Sequence, residues 1–196
     1  MTSMKIGRVT FIDPKQSEAK RTLLGAEVDK VIGDLFRDPS ELVTIAIPPE
    51  PEQLRAALIR LCDVENCALV LTTTPTGPSA ADFTPDITRE VVERSLPGFG
   101  EVIRMYSYEK SKVSILSRME AGARGKSLIL NLPSKPKPIR YCLRIIDAAI
   151  CEALVQIAGQ KPVLRGDEVV IPLEKWVPFL KHFRTKPDPR REHDPL

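Results

Sequence analysis

The residues best suited to chemistry lie in one stretch, VLTTTPTGPSAADFTPD, which runs from residue 70 to residue 86. An apolar run ends there and leads into a loop rich in threonine, serine and glycine that carries one carboxylate, Asp82. Hydroxyls and backbone amides that converge on one point bind anions, and the N-terminus of a following helix strengthens such a site. A carboxylate at that place suits a phosphate-bound Mg²⁺ better than a bare phosphate. The candidate phosphate ligands are Thr74, Thr76, Gly77 and Ser79.

A simpler interpretation of this stretch stays open, in which it is a solvated turn whose threonines cap the next helix. The lysine motif G-x-x-x-x-G-K-[ST] is absent, which excludes a P-loop. The only histidines, His182 and His193, lie near the C-terminus, so a triad hydrolase and a histidine-ligated catalytic metal are both disfavoured. The four cysteines match neither a zinc site nor a redox pair, and we expect reduced, mostly buried thiols.

Composition is that of one ordinary globular domain. The chain has 196 residues, of which 42% are hydrophobic and only 5% aromatic, and its net charge is +3. This charge surplus and the scarcity of aromatic side chains speak against a nucleic-acid-binding protein. Because no apolar run approaches the ~20 residues of a membrane span and no signal peptide is visible, we expect a cytoplasmic protein without a membrane segment.

Strands and helices alternate along the chain, which predicts an α/β fold with a mostly parallel central sheet covered on both faces. Thr84 is the expected N-cap of the helix that follows the hydroxyl-rich loop. The predicted strands are Met4–Ile12, Glu41–Ile47, Cys67–Thr73 and Ser127–Leu132. The predicted helices are Leu23–Phe36, Pro51–Cys62, Thr84 to Leu96, Phe99–Tyr108 and Pro138–Ile157.

Ligands of an open parallel sheet bind beyond the carboxyl ends of its strands. Three loops meet that condition, namely Pro48–Glu52, Thr73–Thr84 and Pro133–Lys137. The basic stretch SKPKPIR, residues 134–140, either holds an anionic group or is a solvated charge run. Arg124 is likewise either a solvated loop residue or a pocket edge.

Four motifs occur in order and resemble those of one protein family. The stretch VLTTTPTGPSAADFTPD is similar to T-T-G-G-T-G-P-x-x-x-D-x-T-P-[DE], and LPGFGE, ILSR and ARGKSLILNLP follow it. The last of these is close to I-R-G-x-x-L-I-[IL]-N-L-P-G. Together the motifs resemble the MogA/MoaB group of molybdopterin-binding proteins over residues 4–158. A competence-damage-type domain of the same fold is the weaker match, because ILSR and ILNLP follow the molybdopterin pattern.

The resemblance implies a three-layer α/β/α domain that assembles as a homotrimer and acts in molybdenum cofactor biosynthesis. Its substrates would be molybdopterin and ATP with Mg²⁺, its reaction the adenylylation of molybdopterin with release of pyrophosphate, and a molybdenum-insertion protein a possible partner. Carried over by motif, Asp82 is the metal and catalytic residue, and Thr76 and Gly77 belong to the phosphate cradle. The pterin-binding residues would be Ser117, Arg118, Asn131, Pro133 and Ser134.

Departures from the family motifs fall in the site loops. Thr74-Pro75 replaces a glycine pair, and Pro49 replaces an acid that Glu50 or Glu52 could substitute. Further replacements are Ala81 for an arginine, Ser134 for a glycine, and Asp13-Pro14 for the first-loop motif. These departures motivate an alternative function, a catalytically impaired member that binds a pterin or serves in assembly.

The predicted domain spans residues 1–159, followed by an extension over 160–184 that packs on it and a disordered tail over 185–196. The helix Pro138–Ile157 is apolar around most of its circumference, which is too wide for one intramolecular contact. We therefore expect either a neighbouring subunit or the C-terminal extension to cover one side of it. The family resemblance favours the neighbouring subunit of a trimer.

Overall fold

The computed structural model describes residues 4–12, 14–15, 17–36 and 40–164. These residues form six strands, β1 (Met4–Phe11), β2 (Ser40–Ile47), β3 (Leu69–Thr72), β4 (Arg94–Ser95), β5 (Ala121–Arg124) and β6 (Ser127–Asn131). The same ranges contain five α-helices, α1 (Glu18–Gly33), α2 (Pro51–Ile59), α3 (Thr84–Val91), α4 (Gly98–Lys110) and α5 (Pro136–Ala158). A π-helical turn, Arg60–Val64, extends α2, and a 3₁₀ helix, Lys112–Leu116, follows α4.

All six strands form one sheet in the order β2-β1-β3-β6-β5-β4. The first four of these, β2, β1, β3 and β6, run parallel, whereas β5 and β4 run antiparallel at one edge. The predicted mostly parallel α/β sheet is therefore confirmed. The chain passes from β1 through α1 to β2 on one side and then returns through α2 to β3 on the other side of β1, and such a reversal of strand order leaves a crevice at the carboxyl edge.

Helices cover both faces of this sheet, as the alternating strand residues require. Ile6, Leu69 and Leu128 point into a core formed with α1, α4 and α5. Val70 and Ile129, their neighbours in sequence, point into a second core formed with α2 and α3. Successive strand residues face opposite sides, so a strand buried on both faces is continuously apolar. The three-layer α/β/α architecture follows from this pattern.

The antiparallel edge differs from the prediction. The helix predicted from Thr84 to Leu96 ends at Val91, because Val92 is extended and the chain enters β4. β4 pairs with β5, a second strand that the sequence analysis did not predict. Gly122 permits the pairing, since a Cβ there would lie 2.7 Å from the Arg94 carbonyl oxygen. Strands of two and four residues are too short for a clear periodic pattern.

Helix α5 packs between α1 and α4 and against β6. Its buried side chains include Leu143, Ile146 and Ile150, and Ile145 and Ile157 also pack on the same core. The wide apolar surface that we noted in the sequence is thus largely covered inside the chain, by the sheet and the two flanking helices. The width of the helix face alone therefore gives no reason to invoke a partner subunit.

The C-terminal end of the described chain returns to the domain. Gly159 ends α5 in the left-handed conformation, with φ at 65°, and Leu164 forms an antiparallel bridge with Phe36. The predicted extension and tail, from residue 165 onward, and Asp13 in the first loop lie outside the described residues. Within residues 4–12, 14–15, 17–36 and 40–164, no helix combines the length and the apolar character needed to cross a membrane.

Candidate functional site

The three loops singled out from the sequence meet at one edge of the sheet. They follow the parallel strands β2, β3 and β6, which end at Ile47, Thr72 and Asn131. The loop after β3, residues 73–83, lies at the centre of this edge, and Phe83 packs on Phe11 at the end of β1, with ring centroids 5.5 Å apart. This arrangement matches the prediction for ligand-binding loops.

A cleft of about 670 Å³ opens beside the central loop. Thr76 and Gly77 of this loop form one side of the cleft, and Pro133 and the first turn of α5 form another. The remaining wall comes from the end of α4 and the 3₁₀ helix, where four serines follow one another every three or four residues. They are Ser107, Ser111, Ser114 and Ser117. Their spacing was the available signal for this wall, and the sequence analysis used only Ser117.

Two lysines supply positive charge to a cleft whose walls are otherwise mostly apolar. Lys137 lies at the start of α5, and the Lys110 ammonium sits 3.6 Å from the centroid of the Tyr141 ring. Burial raises the pKa of the Tyr141 phenol, and the charge of Glu109 adds to this effect. Burial also raises the pKa of the Cys142 thiol to about 12, so that thiol is neutral at pH 7. The cleft therefore suits a partly apolar molecule that carries a negative group.

The central loop brings its carboxylate over its own backbone. The Ser79 amide donates a hydrogen bond to Asp82 Oδ2 at 3.3 Å, and the Asp82 amide donates to the Ser79 carbonyl at 2.9 Å. A Cβ on Gly77 would lie only 2.7 Å from Asp82 Oδ2. Only a glycine leaves the carboxylate in this place. Gly77 thus separates Asp82 on one side from the cleft on the other.

Arg118 holds this loop from the neighbouring segment. Its Nε donates to the Gly77 carbonyl at 2.9 Å, and one Nη donates to the Asp82 carbonyl at 2.8 Å. The other Nη donates to both carboxylate oxygens of Asp86, at 2.8 and 3.0 Å. The Arg118 amide also donates to the Thr76 carbonyl at 2.7 Å, and the hydroxyls of Thr76 and Ser117 are 3.2 Å apart.

Known proteins resemble this chain in sequence over most of its length. The family described as "probable molybdopterin binding domain" matches residues 39–151. The molybdopterin adenylyltransferase of Helicobacter pylori strain J99 is 39% identical over 159 residues, which are 81% of this chain and 90% of that protein. The molybdopterin adenylyltransferase of Escherichia coli K12 is 38% identical over 143 residues, 73% of each chain.

The chain belongs to the molybdopterin-binding family. Among solved structures, the molybdopterin biosynthesis enzyme MoaB of Thermus thermophilus is similar with a TM-score of 0.67 at 30% identity. That likeness covers 80% of this chain and 98% of the other. The resemblance drawn from the four motifs and the fold class are thereby confirmed.

Thr74 and Asn131, which match site positions of the family, are buried in this chain and hydrogen-bond to other side chains of the domain. Thr74 is 1% exposed, and its hydroxyl shares a hydrogen bond of 2.8 Å with the buried Thr84 hydroxyl. Thr84 is therefore not the N-cap that we predicted; Phe83 occupies that position, without a side-chain cap. Asn131 is 2% exposed, and its amide nitrogen donates to the Thr72 hydroxyl at 3.0 Å and the Thr88 hydroxyl at 2.8 Å.

The second acid that the family motif contains has no fixed substitute here. Glu52 forms an ion pair with Arg55, which also binds Glu90. Glu50 is exposed at the N-terminus of α2. Across the described ranges, no group of three or more histidine, cysteine or acidic side chains could hold a metal ion.

The remaining motif residues separate by position. Pro133 lines the cleft, while Ser134 is exposed beside it. Arg124 lies at the other end of the sheet, next to the amino end of β6, where it binds Asp63 at 2.6 Å. Arg124 is the last residue of β5 and part of a structural ion pair, so it is neither the solvated loop residue nor the pocket edge that the sequence left open.

Proposed function

We propose that this chain transfers an adenylyl group from ATP to molybdopterin, and its relatives are named molybdopterin adenylyltransferases. It is accordingly a nucleotidyltransferase of molybdenum cofactor biosynthesis. The observation that carries the proposal is the position of Gly77, which borders both the cleft and the Asp82 carboxylate. Two substrates that react with each other need adjoining sites, and a pterin in the cleft would meet a nucleotide bound along the loop at this residue.

The reaction needs positioning and charge more than proton transfer. In the proposed step, a terminal phosphate oxygen of molybdopterin attacks the α-phosphorus of ATP, and the bond to pyrophosphate breaks. A phosphate monoester has a second pKa of about 6, so the attacking group is already anionic at pH 7. No general base is required, which agrees with the absence of histidine from the described residues around the cleft. Lys110 and Lys137 would hold the pterin phosphate, and the cleft walls would bind its ring.

The residues of the loop fit a nucleotide-bound Mg²⁺. Asp82 offers a carboxylate oxygen, and the backbone at Gly77 is open to close approach because it carries no Cβ. Mg²⁺ is commonly held by one or two carboxylates together with substrate phosphates and water. When bound, it would offset the charge of the triphosphate. Thr76 and Ser79 would add hydroxyl and amide contacts, and Glu50 is the proposed second acid.

The candidate pterin-binding residues other than Arg118 take different parts in this proposal. Ser117 and Pro133 line the cleft and would contact the pterin. Asn131 and Thr74 would act indirectly, because their polar groups are engaged inside the domain. Ser134, exposed at the rim, would contact only the outermost part of a ligand.

The test is Asp82→Asn, which keeps the shape of the side chain and removes its charge. We expect AMP transfer from ATP to molybdopterin to fall by about 10² or more, with an unchanged melting temperature. Glu27→Gln, which changes an exposed carboxylate on α1 outside the family motifs, is the matched control and should keep parental transfer. Undiminished turnover in Asp82→Asn would remove Asp82 from the reaction.

A second function has a specific observation in its favour. Pro75 lacks an amide donor in the loop, and Glu52 is tied to Arg55, so the chain could bind the pterin without transferring AMP. Calorimetry with Mg-ATP separates the two functions. Binding in the micromolar range supports the transferase, whereas no binding together with retained pterin binding supports a binding or assembly protein.

We also propose a homotrimer in the cytoplasm that passes its product to a molybdenum-insertion protein. The trimer and the partner rest on the family resemblance, and the cytoplasmic location rests on the expectation drawn from the sequence. Light scattering tests the first: a mass of three times 21.8 kDa is expected, and a mass of 21.8 kDa at working concentration would refute it. Thermal-shift measurement of the pterin-loaded chain with a purified insertion protein would test the partner.

A further inference from the structure

Arg118 stands between the two proposed substrate sites without lining the cleft. The residues before and after it, Ser117 and Met119, both line the cleft, whereas its own guanidinium points to the nucleotide loop. The motif predicts that Arg118 contacts the pterin directly. In this chain the side chain is instead committed to the protein, with four hydrogen bonds to the loop and to α3.

The acceptors of these bonds lie at both ends of the segment that carries the carboxylate. Arg118 binds the carbonyl of Gly77, where the segment begins, and the carbonyl of Asp82, where it ends. It thereby holds the two residues together, and Asp82 Oδ2 stays close to the Gly77 backbone. The other Nη donates to both carboxylate oxygens of Asp86, on the first turn of α3, so all three guanidinium nitrogens have acceptors and the orientation of the group is fixed.

We propose that Arg118 is a positioning residue that orients Asp82 for the nucleotide, and not a ligand of the pterin. The proposal rests on the proposed function, because it concerns how the loop binds Mg-ATP. Arginine suits this role because its rigid fork can serve several acceptors at once, whereas lysine is a flexible point charge. A displacement of about 1 Å at a reacting group can lower a rate by about 10².

The first measurement is Mg-ATP binding by calorimetry to the parent chain, Arg118→Lys and Arg118→Met. We expect the dissociation constant for Mg-ATP to rise about tenfold or more in Arg118→Met. It should rise by less in Arg118→Lys, because the lysine ammonium can still reach one of the acceptors at a time. In AMP transfer, the KM for ATP should rise and kcat should fall, while the KM for molybdopterin stays at the parental value. If Arg118 instead bound the pterin, the KM for molybdopterin would rise and the KM for ATP would stay at the parental value.

The second measurement is a double-mutant cycle with Asp82→Asn. If Arg118 acts through Asp82, then the double variant binds Mg-ATP no more weakly than Asp82→Asn alone. A second cycle uses Asp86→Asn, which loosens the guanidinium without touching Asp82. Its effect should be smaller than that of Arg118→Met and should vanish in the Arg118→Met background.

Arg124→Met is the matched control for the loss of a multiply bonded arginine. Arg124 also binds one carboxylate and one backbone carbonyl, those of Asp63 and Val91, but at the far end of the sheet. It should keep the parental affinity for Mg-ATP even if its melting temperature falls. Arg118→Lys keeps the inference testable if Arg118→Met does not fold.

Each outcome decides between the two proposals. Parental binding in Arg118→Met, or losses that add to those of Asp82→Asn, would overturn the positioning role and leave the transferase intact. A rise in the KM for molybdopterin with unchanged Mg-ATP binding would make Arg118 a pterin ligand. A parent chain that neither binds Mg-ATP nor transfers AMP would overturn both proposals.

Discussion

Replacement of Gly77 by alanine separates the loop's geometry from its chemistry, because it adds one methyl group and changes no charge. A Cβ at this position would lie 2.7 Å from Asp82 Oδ2 and 3.7 Å from Asp82 Cγ, and among the described residues other than its two chain neighbours, only Asp82 has atoms within 4 Å of it. The Gly77 backbone is not in the left-handed region, so alanine brings no conformational strain of its own. The whole effect therefore falls on the Asp82 carboxylate.

The size of the effect follows from these distances. Ordinary contact between a methyl carbon and an oxygen begins near ~3.4 Å, so the carboxylate must move by about 0.7 Å or rotate away. Mg²⁺ tolerates little departure from ideal ligand distances of about 2.0–2.1 Å. We expect kcat/KM for AMP transfer to fall about tenfold to a hundredfold, and Mg-ATP binding to weaken to a similar extent. Asp82 is partly exposed and has room to move, so the melting temperature should change little.

The assay compares Gly77→Ala with Gly33→Ala at the end of α1, whose added Cβ would meet no atom of the described residues within 4 Å beyond its chain neighbours and its own helix backbone. Calorimetry with Mg-ATP and single-turnover AMP transfer are measured on both variants and on Gly77→Ala combined with Asp82→Asn. The combined variant should be no worse than Asp82→Asn alone. Parental binding and transfer in Gly77→Ala would refute the reasoning that Asp82 and Gly77 act as one unit.

Two further changes test the loop and the thiols. Pro75→Gly alone should tighten Mg-ATP binding about tenfold, because it restores an amide donor, and calorimetry measures this effect. Thr74→Val should lower the free energy of unfolding by about 1–3 kcal/mol, because it leaves the buried Thr84 hydroxyl unpaired, and urea unfolding measures this effect. Burial raises the pKa of four thiols to between about 11 and about 12. As pH rises, the unfolded chain therefore loses these protons before the folded chain does. The free energy of unfolding should fall between about pH 9 and pH 11, by at most about 1.4 kcal/mol per pH unit and thiol. Urea unfolding at pH 8 and pH 10 measures this slope, and a chain equally stable at both would contradict it. The thiols are those of Cys62, Cys67, Cys142 and Cys151.

The sequence predicts the parallel half of the fold because its signals there are long and repeated. Strands buried on both faces are continuously apolar, and the amphipathic helices between them keep a period of 3.6. The antiparallel edge was missed, since β4 has two residues and β5 begins with the small residues Ala121 and Gly122. Their pairing depends on a close backbone approach that only the folded chain shows.

The location of the site could be predicted, but the direction of its side chains could not. The carboxyl-edge rule and the motifs predict Asp82, Gly77 and Ser117 as neighbours at one edge of the sheet, and they lie there, while their roles stay predictions. A motif does not reveal that Asn131 turns inward to two threonine hydroxyls, or that Arg118 faces the loop. Such choices depend on hydrogen-bond partners 30 or more residues away in the chain, as with Arg118 and Asp86.

The departures from the family motif indicate where a nucleotide can approach. Thr74 closes the start of the loop through its bond to Thr84, and Pro75 offers no amide there, so residues 74 and 75 cannot cradle a phosphate as a glycine pair would. Arg118 fixes the end of the loop at Asp82. Between these two fixed points only Gly77 lacks a side chain. We therefore expect the triphosphate to lie over Gly77, next to the cleft. This position brings its α-phosphorus close to the pterin and does not require the donors that the altered start of the loop has lost.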